Sequence, residues 1–188
     1  MRRRTAFARL AVLSWVCVSS FHCAFDEPVF SGVIHKGDVS VRFGAAPSGW
    51  RGIRIDGADL AFRDDAHGGS VLVDVHCGER DGDAPLSVLT EHLIMGTTDR
   101  SIESDSTIPF DGREAMRTTL TAKLDGVPMR YDIFVMKKDG CVHDVVYVAP
   151  PAQFAEGDLD FQRFAITLHA TSHGAGGRTR AVLGSTEQ

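Results

Sequence analysis

Three Asp-Gly pairs, Asp111-Gly112, Asp125-Gly126 and Asp139-Gly140, fall between runs of alternating apolar residues and leave the middle of this chain little alternative to antiparallel strands. Glycine reaches positive φ without steric cost, and Asp-Gly is among the strongest two-residue hairpin signals. Ser101 to Phe110 leads into the first turn. Met116, Thr118, Leu120 and Ala122 then alternate with Arg117, Thr119, Thr121 and Lys123. Beyond the second turn, Met129, Tyr131, Ile133 and Val135 share one face while Phe134 and Met136 make the other face apolar too. This strand is therefore expected to be covered on both sides. Cys141 to Val148 forms the last strand, which Pro150-Pro151 ends.

The flanking segments extend the pattern. Ile53 and Ile55 alternate with Arg54, Asp56-Gly57 turns the chain, and Leu60 and Phe62 alternate again. His67-Gly68-Gly69 makes the next turn, into a strand with Val71, Val73, Val75 and Cys77 on one face. A helix follows, with Asp83 suited to the N-cap, Pro85 to the first turn, Gly96 to the C′ position, and Leu86, Leu89 and Leu93 as its apolar stripe. Asp158 suits the cap of a second helix bearing Phe161, Phe164, Ala165 and Leu168 at helical spacing. Strands, a helix, more strands and a closing helix give an α+β fold, an antiparallel β-sheet with helices packed on its faces. One domain is expected over residues 50–170. Residues 24–49 read as an irregular segment in which Val39 to Phe43 makes a short edge strand, and residues 171–188 read as a disordered tail.

Residues 1–23 read as an export leader. Arg2, Arg3, Arg4 and Arg9 precede the apolar stretch Leu10 to Val18, and Ser19 and Ser20 follow it. The apolar stretch is about half the length that spans a bilayer as a helix. Three endings stay open: cleavage after Ser20, lipid attachment at Cys23, and an uncleaved anchor. Ser20-Phe21-His22 before Cys23 fits a lipid-attachment site poorly. Without its four arginines the chain has 16 basic against 25 acidic residues, a net charge near −9. That balance argues against nucleic acid, whose phosphates are held by clustered Lys and Arg, and against adhesion to anionic lipid. Membrane contact is expected only through a lipid anchor or an uncleaved leader.

In an oxidising compartment, Cys77 and Cys141 are most simply a disulfide, which closes a loop of about 65 residues and stabilises the fold by roughly 4 kcal/mol in the chain-entropy model. Two buried free thiols are the alternative. Zinc is a weaker candidate. Cys77, Cys141 and His143 could converge, but His76 and Cys77 point to opposite faces of their strand, and the short Cys-x₂₋₄-Cys spacing is missing. The loop Glu79 to Asp83 lacks the spacing and distal Glu of an EF-hand, so it reads as a solvated loop, and Asp64-Asp65-Ala66-His67 reads as a turn. No Gly-x-Ser-x-Gly elbow is present, and Gly44 to Gly49 leads into Trp-Arg, unlike a phosphate loop. The residues thus point to no catalytic site and no cofactor.

Gly49-Trp50-Arg51, Asp59-Leu60-Ala61-Phe62, the strand ending at Cys77, Asp125-Gly126-Val127-Pro128, Asp139-Gly140-Cys141-Val142 and the Phe161–Phe164 helix carry a resemblance over residues 50–170. In these features the chain resembles the PsbP-like superfamily. That resemblance implies an α/β/α sandwich and membership of a group whose members mostly act as binding or assembly modules. The resulting expectation is an exported, non-enzymatic accessory protein, periplasmic or membrane-anchored, that docks on an envelope protein partner. One alternative is a carrier of a small apolar ligand or lipid between sheet and helix, near Leu89, Leu93, Phe134 and Met136. An enzyme with an unrecognised site is the other.

Overall fold

The computed structural model describes residues 32–78 and 83–173. Its largest element is a seven-stranded antiparallel sheet of β3 (Trp50–Ile53), β4 (Leu60–Asp64), β5 (Gly69–Cys77), β6 (Thr98–Phe110), β7 (Arg113–Leu124), β8 (Val127–Lys138) and β9 (Cys141–Ala149), in the order β3-β4-β5-β9-β8-β7-β6. The helix α1 (Leu86–Leu93) lies on one face across β7 and β8, and α2 (Phe154–Ala165) lies on the other against β9 and β5. At each of the three Asp-Gly turns both residues have positive φ, as the primed hairpin turns require.

Beside α2 sits a second, three-stranded sheet of β1 (Val33–Lys36), β2 (Val39–Arg42) and β10 (His169–Ser172), ordered β1-β2-β10. This corrects two expectations. The segment 24–49 is not irregular throughout, and Val39–Arg42 is the central strand of its sheet, with Ser40 paired to both His35 and Thr171. Nor does residue 171 begin a tail, because Thr171 and Ser172 belong to β10. Strands of four residues give almost no periodicity, and the β2–β10 pairing joins the two ends of the domain, so neither was visible locally. The leader, Cys23, residues 79–82 and the residues beyond 173 lie outside the described part.

Strict alternation divides the core in two. On the α2 side Phe62, Val71, Val73, Val75, Phe134, Met136 and Tyr147 pack with Phe161, Phe164 and the small sheet. On the α1 side Leu120, Ile133, Val135 and Val142 pack with Leu89 and Ile94. Each helix begins where its cap was not expected. Pro85 and Gln153 occupy the positions before Leu86 and Phe154, neither with a side-chain cap, and Asp158 lies a turn inside α2, where it accepts from Gln162 Nε2 at 2.7 Å. Gly96 does not adopt the positive φ of a C′ glycine, and α1 ends instead in tight turns through His92 and Ile94.

The seat of α2 depends on a close approach. A Cβ on Gly157 would lie 1.9 Å from Tyr147 Oη and 2.7 Å from Asp64 Oδ2. Tyr147 donates to Asp64 at 3.1 Å and stacks on Phe161, so the helix can settle here only over a glycine.

Candidate functional site

The α1 face holds a largely apolar cavity of the kind that takes a ligand. An eight-residue helix is about 12 Å long, whereas seven strands about 4.8 Å apart span roughly 29 Å. One short helix cannot roof that width. It covers β7 and β8, and Lys137 Nζ donates to Ala84 O just before the helix. Over β5 and β9 the described residues leave the face open, and a cavity of about 280 Å³ lies between sheet and helix. Leu72, Val146 and Val148 make much of its floor, and Leu93 and Ile94 its helical wall. Leu93 and Leu124, both exposed, give the cavity an apolar rim.

Polar groups interrupt this lining. Tyr131 and Asp144 both line the cavity and are 6% and 4% exposed, yet Tyr131 Oη and Asp144 Oδ1 are buried without a hydrogen-bond partner among the described residues. Burial pushes the Tyr131 hydroxyl above its ordinary pKa. Asp144 Oδ2 lies 2.8 Å from His76 Nε2, and His76 Nδ1 lies 3.1 Å from Asp74 Oδ2, so one imidazole spans two carboxylates. Burial raises the Asp74 pKa against the pull of His76, and its neighbour Asp59 raises it further. Asp59 is itself held low despite burial, because Lys36, 2.8 Å away, and Val75 N both donate to it.

The four residues expected to hold an apolar ligand do not meet. Leu89 is buried under α1 and Leu93 stands at the cavity mouth, but Phe134 and Met136 lie on the opposite face, in the α2-side core. Side chains at 134 and 136 cannot share a face with Ile133 and Val135 on an extended strand. Sequence reasoning missed Asp74, Tyr131 and Asp144. A signal for Asp144 was present, since a carboxylate in the middle of an otherwise apolar strand needs a partner.

Cys77 and Cys141 are bonded to each other across directly paired positions of β5 and β9, so neither is a free ligand. His143 is buried beside them, where burial lowers its pKa, and Nε2 is 3.3 Å from Lys138 O. Among the described residues no group of three or more His, Cys, Asp and Glu is placed to hold a metal ion. The turn Asp64–His67 is a brace rather than an ion site, with His67 N donating to Asp64 Oδ1 and His67 Nδ1 2.8 Å from Oδ2. Of the loop 79–83 only Asp83 is described, and it is exposed.

The α2 face carries a buried ion pair. Arg117 donates through Nε and Nη2 to both oxygens of Asp132, at 3.0 and 2.7 Å, and its guanidinium lies over the Phe134 ring. Asp132 is wholly buried. Desolvation pushes its carboxyl up to about 7, outweighing Arg117, and the neighbouring Asp158 adds like charge. Asp158 of α2 lies beside this pair, Arg117 remains partly exposed, and neither residue lines the α1-side cavity.

No family model matches the chain, and no curated protein matches it in sequence. Solved structures do match in shape. The solution structure of cyanobacterial PsbP from Synechocystis sp. PCC 6803 superposes with a TM-score of 0.53 at 13% identity, over 74% of this chain and 96% of that one. The crystal structure of LpqN from Mycobacterium tuberculosis, described as involved in cell envelope biogenesis, gives 0.53 at 12% identity, over 74% and 90%. A crystal structure from Bacteroides thetaiotaomicron gives 0.51 at 14% identity, over 71% of this chain and 46% of that one. At such identities the likeness speaks to architecture, and the architecture agrees with the motifs read from the sequence. The chain has a PsbP-like α+β fold.

Proposed function

We propose that this is an exported, non-enzymatic accessory protein of the bacterial cell envelope, and that it docks on a membrane-associated protein partner through its α1 face. The observation that carries the reading is the sheet face that the described residues only half roof, where an apolar cavity is rimmed by exposed Leu93 and Leu124. A concave apolar site with few polar groups is the usual form of a binding surface. The Cys77–Cys141 disulfide suits an oxidising compartment, and the fold shared with an envelope-biogenesis protein supports the same address. Periplasmic release and membrane anchoring both fit this reading.

The test is recovery of partners from envelope membranes with the wild-type chain, with Leu93→Glu/Leu124→Glu, and with Ile166→Glu as a control on exposed apolar surface beyond α2. The reading expects a specific protein held by the wild type and the control and lost by the rim variant. Equal recovery by all three would overturn it. A second reading, a carrier of a small apolar ligand, is favoured by the cavity itself. At about 280 Å³ it lies just under the range of roughly 300–1,000 Å³ usual for small-molecule sites.

A further inference from the structure

The cavity is not uniform along its length. Leu72, Ile133, Val146 and Val148 make its apolar wall, but Asp74 and Asp144, paired across β5 and β9, stand at one side of it. His76 lies between these two carboxylates, and a third, Asp59, stands behind Asp74 outside the cavity and is paired with Lys36. Asp144 Oδ2 is engaged by His76, whereas Oδ1 is buried with no donor among the described residues. A buried acceptor without a donor is costly, and more so when it carries charge. A ligand in this cavity can supply what the protein withholds.

The chemistry of the ligand follows by comparison. A hydrocarbon fills the apolar wall and leaves Asp144 Oδ1 orphaned. A carboxylate-headed lipid brings like charge to the two carboxylates that line the cavity. An alcohol supplies one donor without charge. An ammonium supplies donors and the opposite charge, and charge-assisted hydrogen bonds are the strongest of these. We propose that the cavity binds a small amphiphile with an apolar body and a protonated amine head, the body against Leu72, Val146 and Val148 and the head donating to Asp144. The inference rests on the carrier reading above and adds the identity of the head group. The volume suits a short body, not a long-chain lipid.

The test compares three six-carbon probes, hexylammonium, 1-hexanol and hexanoate, titrated into the oxidised full-length chain at neutral pH and followed by backbone amide NMR. Hexylammonium is expected to bind saturably, to shift amides of α1, of 131–133 and of 144–148, and to bind at least about tenfold more tightly than hexanoate. Asp144→Asn is expected to remove most of that preference. Leu93→Trp changes an exposed residue at the cavity mouth, so folding is not at stake, and it is expected to weaken all three probes. If the probes bind alike in the wild type and all are lost in Leu93→Trp, the amine head is overturned and the carrier reading survives. If none shifts the α1 face saturably, both are overturned.

Discussion

Replacing Gly157 by Ala isolates the contact that seats α2 on the sheet. In an exposed helix interior this change would stabilise by about 1 kcal/mol, because alanine is the better helix former. Here the added methyl meets Tyr147 Oη at 1.9 Å, and Tyr147 cannot easily yield. It is fully buried, lies 5.4 Å from the Phe154 ring and 5.5 Å from the Phe161 ring, and donates to the buried Asp64. Overpacking a filled core costs about 1–3 kcal/mol, and displacing the hydroxyl removes one hydrogen bond from Asp64, which keeps His67, at about 1 kcal/mol more. The net loss is therefore roughly 1–3 kcal/mol, which would lower the melting temperature by about 5 °C in a domain of this size. Thermal unfolding followed by circular dichroism measures it. Adding Tyr147→Phe removes the nearest atom but leaves the ring carbon at 2.8 Å, so the double variant should recover part of the loss. A Gly157→Ala protein that melts higher than wild type would show that α2 does not press on Tyr147, and the packing argument would fail.

Further outcomes follow from the same geometry. Asp132 has a folded pKa raised to about 7, above its unfolded value near 3.9, so its contribution to stability is full below about pH 4 and lost as pH rises through 7. Denaturant unfolding at pH 4.5 and 7.5 should show that loss in the wild type and much less of it in Asp132→Asn. Reducing Cys77–Cys141, which are 64 residues apart, should cost about 4 kcal/mol, read as a lower urea midpoint in the presence of reductant. Gly126→Ala puts a side chain at a φ of 83° with open space around it, so only backbone strain is felt, and a loss of about 1 kcal/mol is expected.

The two parts of the molecule were legible to different degrees for physical reasons. The hairpins from Ser101 to Val148 were readable because long strands repeat their alternation many times and Asp-Gly fixes each turn. The pairing of His76 and Cys77 with opposite faces followed from the same period of two, and the structure has His76 on Asp144 and Cys77 on Cys141. The small sheet was not readable, because β2 meets β10 across nearly the whole domain and four residues carry too little pattern. Helix starts were misplaced because an Asp before an apolar run is an N-cap only if the chain turns there. Asp158 is instead held within α2, close to Asp132. The carrier alternative placed a ligand between sheet and helix, and a cavity lies there, but of its four residues only Leu93 lines it, and Phe134 and Met136 belong to the other face. Strand parity, applied to Ile133 and Val135 together with Leu89, would have separated them.

The central claim is that the α1 face is the working surface of this protein. Native mass spectrometry of the chain isolated from the envelope of its own host, beside a Leu93→Trp variant isolated in the same way, tests it most directly. The account predicts added mass on the wild type, from a partner or a small amine, that the variant lacks. A bare chain in both preparations, or the same adduct on both, would contradict it.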